Sequence, residues 1–334
     1  MSQKVEVHSS KKTRGTNLVT MLLNNKALLI LILLMIASQF MTKGLFFSPT
    51  NLSSITRQIA ASTMLGIGFT VVLAAGGVDL SVGHMLSFVG VLYGIFSLHM
   101  PLVFALVLAI ACGAACGMAN GAISVKLNLP PFIVTLAMAQ VFKGFAYLLC
   151  GGKSINGLGA GVKFWGQHLV FGVIPVSLLV TVVLAIVVAV VIYRTRYGRY
   201  IIATGGNAEA ANVSGINVSG IRISTYVVMG ICVAIGAIVL TGRVSMAAPG
   251  AGDGMEMDAI AAVVIGGTPM SGGKANVAGT VFGCLVMGVM SNLLNLVGVS
   301  SFWQYVAKGC IIILAILIDA KTEQFFQKRL KNAA

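Results

Sequence analysis

Long apolar segments, separated by short polar ones, make up most of the chain. Nine of them are long enough to cross the roughly 30 Å hydrocarbon core of a bilayer as helices. A tenth, residues 257–270, is shorter and is interrupted by Gly266 and Gly267, so hydropathy leaves open whether it crosses fully or enters as a partial helix. The nine clear segments are residues 27–46, 52–75, 80–98, 101–125, 131–150, 173–193, 223–242, 276–295 and 302–319. The pattern predicts an all-α fold, a polytopic membrane helix bundle.

The positions of the basic residues favour ten crossings. Lysine and arginine collect on the cytoplasmic side of membrane proteins and thereby set their orientation. Ten crossings with both termini in the cytoplasm place most of the 22 basic residues inside, whereas nine would move the basic tail outside. We therefore predict a cytoplasmic basic segment (1–26), a transmembrane domain of about 10 transmembrane helices (27–320) and a cytoplasmic basic tail (321–334).

Composition excludes a soluble protein. Hydrophobic residues make up 57% of the chain and charged residues 9%, and the mean hydropathy is +0.98. A soluble domain of this size would have an apolar surface at these values. The net charge of +14 comes from basic residues scattered among apolar segments. Membrane topology explains such scattering, and no nucleic-acid partner is predicted.

No catalytic, cofactor-binding or metal-binding constellation is visible. The four histidines are isolated from one another, and the chain has only eight acidic residues. Residues 267–275 approach a phosphate-binding loop but place Gly273 where lysine is needed, so they depart from its pattern. The six cysteines lie nearly all in apolar segments without metal-ligand spacing, which is typical of packing residues.

Several polar residues lie within or beside the apolar segments, and each has two interpretations. Asp79 follows a glycine-rich break and either caps the next helix or takes part in gating or coupling. Glu256 and Asp258 follow a similar break in the second half of the chain, and pseudo-repeats of this kind occur in transporters. Amides such as Asn120 either bond neighbouring helices or contact a passing polyol. The candidates for a translocation path or gate are Asp79, Ser81, Asn120, Glu256, Asp258 and Asn295.

Glycines recur at helical spacing in several segments. Gly113, Gly117 and Gly121 share one face of the fourth segment, where they allow a neighbouring backbone to approach closely. We expect a tightly packed bundle.

Residues 194–222 form a polar segment with four arginines between the sixth and seventh apolar segments. Ten crossings place this segment in the cytoplasm. Glu209, Ala210 and Ala211 favour a short helix, and Gly215 is placed to end it. We predict a docking surface for a cytoplasmic partner, with Glu209 pairing with a basic residue of that partner. Arg194, Arg196 and Arg199 are placed to hold the segment against anionic lipid headgroups.

Several motifs together resemble the ribose-type branch of the monosaccharide ABC importer permeases, in unbroken order from about residue 28 to 320. They are Gly76-Gly-Val-Asp-Leu-Ser-Val-Gly83, Gly198-Arg-Tyr, the segment 205–218, Met257-Asp-Ala-Ile-Ala-Ala-Val-Val-Ile-Gly-Gly-Thr268, Ser271-Gly-Gly-Lys274 and the segment 293–301. The polar segment matches the loop by which such permeases engage their ATPase. The resemblance implies an ATPase-coupling loop comprising Arg199, Gly205, Gly206, Asn207, Glu209, Ala210, Ala211, Ser214 and Gly215, with a coupling helix at about 207–216. The family's acidic pair is reduced here to Glu209, preceded by Ala208.

The resemblance also implies partners and a mechanism. We expect a permease subunit in the bacterial inner (cell) membrane that pairs as a homodimer and receives a monosaccharide from a periplasmic sugar-binding protein. A cytoplasmic ABC ATPase would bind ATP and Mg, and this chain would bind no cofactor and catalyse nothing itself. ATP binding would move the coupling helix and switch the bundle between outward and inward openings.

Two other classes remain as alternatives, an ion-coupled secondary transporter of a small polar solute and a non-transporting membrane scaffold. The cargo is also open among ribose, other sugars, polyols and autoinducer-2. Ribose is favoured because the segments 205–218 and 293–301 are most similar to that subgroup.

Overall fold

The computed structural model describes residues 26–311, 313, 314 and 317, and most of this part is helical. An all-α membrane bundle is thus confirmed. Apart from Lys26, the two predicted basic terminal segments lie outside the described residues. In chain order the elements are α1 (Lys26–Met41), α2 (Pro49–Ala74), α3 (Val82–His99), α4 (Leu102–Lys126), α5 (Pro131–Leu149), α6 (Ala160–Gln167), β1 (Leu169–Val170), β2 (Ile174–Pro175), α7 (Val176–Arg194), α8 (Arg196–Gly206), α9 (Ala208–Val213), α10 (Val218–Val244), α11 (Met255–Ile265) and α12 (Val277–Leu296). Residues 301–311 continue the chain as a further helix, α13.

Seven of the described helices are long and apolar enough to cross a membrane, namely α2, α3, α4, α5, α7, α10 and α12. Helix α1 is apolar but shorter, with 16 residues. The tenth predicted segment forms α11, whose 11 residues reach only about 17 Å at 1.5 Å per residue. By itself, α11 is therefore too short to cross the membrane. The count of ten crossings stays a prediction.

The sixth predicted span begins too early. Residues 173–175 do not belong to α7, because β1 and β2 form a small antiparallel hairpin that pairs Leu169 with Pro175 and Val170 with Ile174. The turn uses positive φ angles at Phe171 and Gly172. Apolar Val173 and Ile174 resemble the start of a helix in hydropathy, so the hairpin and the preceding helix α6 escaped the prediction.

Side-chain caps define where the helices near the polar segment begin. The Thr195 side chain accepts a hydrogen bond from the Gly198 N–H at the start of α8, and Asn207 does the same for Ala210 in α9. Asn217 and Asn276 cap α10 and α12 in the same way. Each cap satisfies one of the free N–H groups of a first helical turn.

Helix α10 lies at the centre of the bundle, and glycines let α4 pack directly on its backbone. A methyl group added at Gly113 would collide with the Gly230 carbonyl, and one added at Gly117 with the Tyr226 carbonyl. The α10 backbone at Ile223 lies beside Gly121. The predicted close approach along this glycine face is confirmed, and it places two long helices in backbone contact.

Between α10 and α11 the chain runs from Ser245 to Gly254 without helical structure. Ala247 forms a two-way backbone pair with Ile155. Farther on, the Gly252 N–H donates to Ser87 Oγ of α3 at 2.8 Å. This connector, residues 245–254, therefore packs against the transmembrane helices, and the start of α11 lies beside α3.

The six cysteines are all free. Cys116, Cys232 and Cys284 are buried, as expected of packing residues, whereas Cys310 is exposed on α13.

Candidate functional site

The predicted cytoplasmic helix is present as α9, and local hydrogen bonds close it at both ends. Asn207 Oδ1 accepts from the Ala210 N–H at 2.9 Å. At the other end, Ser214 Oγ donates to the Ala210 carbonyl at 2.8 Å, and Gly215 ends the helix with a φ of +83°. A positive φ is unfavourable for residues with a side chain, which explains glycine at this stop.

Most of the α9 surface is exposed. Glu209 and Ala210 are exposed, and Val213 is 89% exposed, while Ala211 is buried and anchors the helix. An acidic side chain thus lies on the same short helix as an apolar one that has no cover in the described chain. The exposed surface of α9 thus offers both a charged group and an apolar contact.

Helix α8 connects α9 to the bundle. Ile201 and Thr204 are buried, and the Tyr197 and Ser224 hydroxyl oxygens lie 2.7 Å apart, linking α8 to α10. Arg196 and Arg199 lie exposed on α8, and Arg194 is exposed at the end of α7. The exposed arginines are consistent with the predicted contact with lipid headgroups, which stays a prediction.

Three glycine pairs, distant in sequence, meet beneath α9. We call Gly76-Gly77, Gly205-Gly206 and Gly272-Gly273 the glycine junction. The Gly273 N–H donates to the Ala74 carbonyl at the end of α2 at 3.0 Å. A methyl group on Gly205 would collide with that carbonyl, and one on Gly273 would lie 2.8 Å from Gly206 Cα. The end of α8 is therefore in backbone contact with α2 and with the connection between α11 and α12.

The junction also explains the segment that resembles a phosphate loop. Gly272 and Gly273 adopt φ angles of +83° and +74°, and the atoms beside them belong to Gly76, Gly205 and Gly206. Glycine at these two positions allows the close backbone packing of the glycine junction.

Three of the six path candidates form one buried network. Asp79 Oδ1 accepts from the Ser81 N–H at 2.9 Å and from Ser81 Oγ at 2.6 Å. Asn120 Nδ2 of α4 donates to Asp79 Oδ2 at 3.1 Å and to Ser81 Oγ at 2.7 Å. All three residues are fully buried.

Asp79 does not form the helix cap that was one of its two interpretations. Its carboxylate bonds Ser81, which precedes α3, and the amide of Asn120, instead of N–H groups within the first turn of α3. Asp79 lies in the connection between α2 and α3, where burial raises the pKa of its carboxyl group and the bonds from Ser81 and Asn120 lower it. The network ties this connection to α4.

The other three candidates lie apart from this network. Asp258 forms an ion pair of 2.7 Å with Lys308 of α13. Asn295 lies exposed after the apolar part of α12, where its Oδ1 accepts from Gln304 Nε2 at 2.8 Å. The structure therefore gives Asp258 a helix-to-helix contact that the sequence interpretation missed. Lys308 stands inside a predicted span, and a charge in that position needs a partner.

Glu256 belongs to a second polar group, which we call the mid-depth cluster: His84, Lys143, Tyr147, Asp253 and Glu256. Asp253 Oδ1 lies 3.7 Å from His84 Nε2, and Asp253 Oδ2 lies 3.7 Å from Lys143 Nζ. Glu256 Oε2 occupies the space that a side chain at Gly83 would fill. Of these five residues, only Glu256 was among the predicted path candidates. The fold brings the cluster together from α3, α5, the connector and α11, and the sequence does not show this meeting point.

Comparison with known proteins identifies the class. Residues 51–316 match the family described as "Branched-chain amino acid transport system / permease component". The chain is 40% identical over 279 residues to the ribose import permease protein RbsC of Bacillus subtilis (strain 168), covering 83% of this chain and 86% of that protein. It is 36% identical over 309 residues to RbsC of Escherichia coli (strain K12), covering 90% and 95%. It is 34% identical over 301 residues to the fructose import permease protein FrcC of Rhizobium meliloti, covering 87% and 84%. No solved structure matches the chain significantly.

The apolar helix bundle, together with these relatives, thus defines the membrane permease component of an ABC import system. The chain belongs to this permease family, and the resemblance to its ribose-type branch is confirmed. It is a multi-pass protein of the inner (cell) membrane and a transport component rather than an enzyme. A permease component of this kind works with an ATPase and a binding protein. The scaffold and the ion-coupled transporter are therefore set aside.

Proposed function

We propose that this chain carries a monosaccharide, with ribose favoured, across the inner membrane as the permease of an ATP-driven importer. The observation that carries the coupling part of the proposal is α9, an exposed short helix closed by Asn207 and Gly215. The cargo is inferred from relatives named for ribose and fructose import. Other sugars, polyols and autoinducer-2 are the alternative cargoes.

The partners follow from the same proposal. Two copies of the chain pair in the membrane, a periplasmic sugar-binding protein delivers the cargo, and a separate ATPase binds ATP and Mg²⁺. Ten crossings with cytoplasmic termini place α9 on the ATPase side. This arrangement is supported by the seven long helices together with α1, α11 and α13.

Coupling begins at α9 and passes through the glycine junction. Glu209 is exposed and is placed to pair with a basic group on the ATPase, while Val213 offers an apolar contact. When the ATPase closes around ATP, α9 and α8 move with it. The end of α8 packs against the end of α2 and against the connection between α11 and α12. The movement of α8 and α9 therefore reaches the membrane helices that must rearrange. The junction has no side chains that could deform and absorb it.

Reversing the charge of Glu209 tests the coupling. In Glu209→Lys, we expect ATP-driven ribose uptake by the reconstituted complex to fall by at least about tenfold, because a like charge then faces the partner's basic group. The ATPase should also copurify less well. Lys163→Glu, an exposed charge reversal on α6, is the matched control and should transport like the unmodified chain. Unchanged uptake and copurification in Glu209→Lys would refute this docking role.

A further inference from the structure

The mid-depth cluster lies level with the middle and second half of α5, although His84 and Glu256 stand in the first turns of their own helices. The Leu80 N–H donates to Thr135 Oγ1 at 3.1 Å, and Phe88 stacks on Phe142 at 5.9 Å between ring centroids. His84 lies between Leu80 and Phe88 and is therefore level with the middle of α5. Lys143 stands about 18 Å from the start of α5, which is about 28 Å long.

Charged groups at this depth need water or protein around them. The side chains of Lys143 and Asp253 are 40% and 46% exposed. A charge facing hydrocarbon near the bilayer centre costs about 3 kcal/mol or more. Part of the cluster is therefore open to something more polar than lipid.

The backbone beside the cluster leads to the same conclusion. The connector, residues 245–254, is not helical, yet it reaches Ser87 and Gly83 of α3. Irregular backbone at membrane depth is tolerated where it is buried in protein or lines a water-filled cavity. Asp253 lies on this connector and is exposed, which favours the cavity.

The cluster offers both donors and acceptors that are not fully used. Glu256 Oε2 and His84 Nδ1 are buried and have no hydrogen-bond partner among the described residues. A methyl group at Gly250 would lie 3.2 Å from the Tyr147 hydroxyl and 3.3 Å from Asp253 Oδ2, so these two groups flank Gly250. Gln140, Lys143 and Tyr147 follow each other at helical spacing on one face of α5.

Aromatic surface adjoins these polar groups. Phe145 is 51% exposed, and its ring centroid lies 6.1 Å from that of Phe88. Small-molecule sites combine apolar and aromatic walls with a few convergent polar groups. Paired opposite charges suit a neutral solute with many hydroxyl groups, because each hydroxyl both donates and accepts.

We propose that the mid-depth cluster is a contact site for a neutral, polyhydroxylated solute on the translocation path, with Lys143, Tyr147, Asp253 and Glu256 bonding its hydroxyl groups. This inference rests on the proposed sugar transport and locates where the cargo is held inside the membrane.

Uptake provides the first test. Asp253→Asn and Lys143→Gln are assembled with the ATPase and the binding protein in proteoliposomes, and ATP-driven uptake of labelled ribose is measured. We expect uptake to fall about tenfold or more in each, because a charge-assisted hydrogen bond to the solute is replaced by a weaker neutral one, while the ATPase still copurifies. Lys163→Gln on α6 is the matched control for loss of a lysine. Normal uptake in both cluster variants would overturn the proposal.

Water access provides the second test, which stays decisive if a variant folds poorly or if the unmodified complex transports no ribose. Lys143→Cys and Val141→Cys are treated from the water with a membrane-impermeant thiol reagent, and labelling is read from the mass of the peptide that carries each position. Val141 is exposed and Lys143 is half-buried on α5, and the two positions lie on different faces of the helix. We expect position 143 to react faster, and to be protected when binding protein, ribose and ATP are present. Equal reaction at the two positions would overturn the proposal, whereas absence of ribose uptake by the unmodified complex would count against the proposed cargo alone.

Discussion

The cytoplasmic segment around α9 and the mid-depth cluster are both polar regions in an apolar chain, but their polar groups are arranged in opposite ways. On α9, Glu209 lies exposed, and the hydrogen bonds of the segment are made between residues close in sequence. In the cluster, Asp253 contacts His84 and Lys143, which lie far away in the chain.

This difference follows from the surroundings. Water solvates an exposed charge, so Glu209 remains available for a partner. Inside the bundle an unpaired charge is costly, so charges gather wherever the fold brings opposite signs together. The segment around α9 is therefore suited to the docking proposed for it, and the half-buried cluster to the proposed contact with a solute.

The largest expected effect comes from blocking the glycine junction that connects α9 to the bundle. Gly205→Ala places a methyl group against the Ala74 carbonyl, where only backbone atoms are available to move. Overpacking costs about 1–3 kcal/mol, which corresponds to about a five- to 150-fold loss when it falls on the conformational step. We expect ATP-driven ribose uptake to fall by this factor while the ATPase still copurifies.

Gly159→Ala is the control for this substitution, since an added methyl group meets nothing within 4 Å there. If Gly205→Ala transports normally, the junction does not transmit the motion of α9, and the mechanism proposed for the cytoplasmic region loses its link to the bundle.

A second prediction compares a paired charge inside the bundle with a solvated one outside. Asp258→Asn leaves Lys308 without its partner, and their side chains are only 20% and 23% exposed. We expect a loss of about 3 kcal/mol in the free energy of unfolding, since one member of a largely buried pair is removed. Arg199→Gln on exposed α8 should change this free energy by less than about 0.5 kcal/mol. Denaturation of both variants in detergent measures the contrast, and equal losses would refute it.

The smallest predicted effect concerns the cap of α9. Asn207→Ala removes the hydrogen bond to the Ala210 N–H and should cost about 1 kcal/mol of local helix stability. Because docking requires the helix to be formed, affinity for the ATPase should fall about fivefold. Asn217→Ala removes an equivalent cap from α10 and is the control. A binding measurement with the purified ATPase that shows equal affinity for both variants would contradict this.

The same contrast decides what could be predicted from the sequence. Helix α9 was predictable because its cap, its alanines and its Gly215 stop lie within ten residues of one another. The long apolar helices were predictable because span length and hydropathy are local properties. Close packing of α4 also follows from one segment, since Gly113 and Gly117 show their shared face without knowledge of α10.

Contacts between distant segments could not be predicted in this way. Residues 84, 143 and 253 show no common pattern, and only the fold brings them together. Likewise, the glycine pairs at 76, 205 and 272 were each visible as motifs, but their meeting point was not. The hairpin of β1 and β2 was missed for a different reason, because short apolar strands have the same hydropathy as the end of a transmembrane helix.

The self-contained closure of α9 has a consequence for how such permeases diversify. Asn207 and Gly215 close this helix with local hydrogen bonds and a local turn, so we expect residues 207–216 to be exchangeable as a unit. We expect a chimaera that carries this segment from a relative to recognise that relative's ATPase while keeping its own cargo. Recognition of the ATPase and choice of cargo would then lie in different parts of this chain, and each could change without the other.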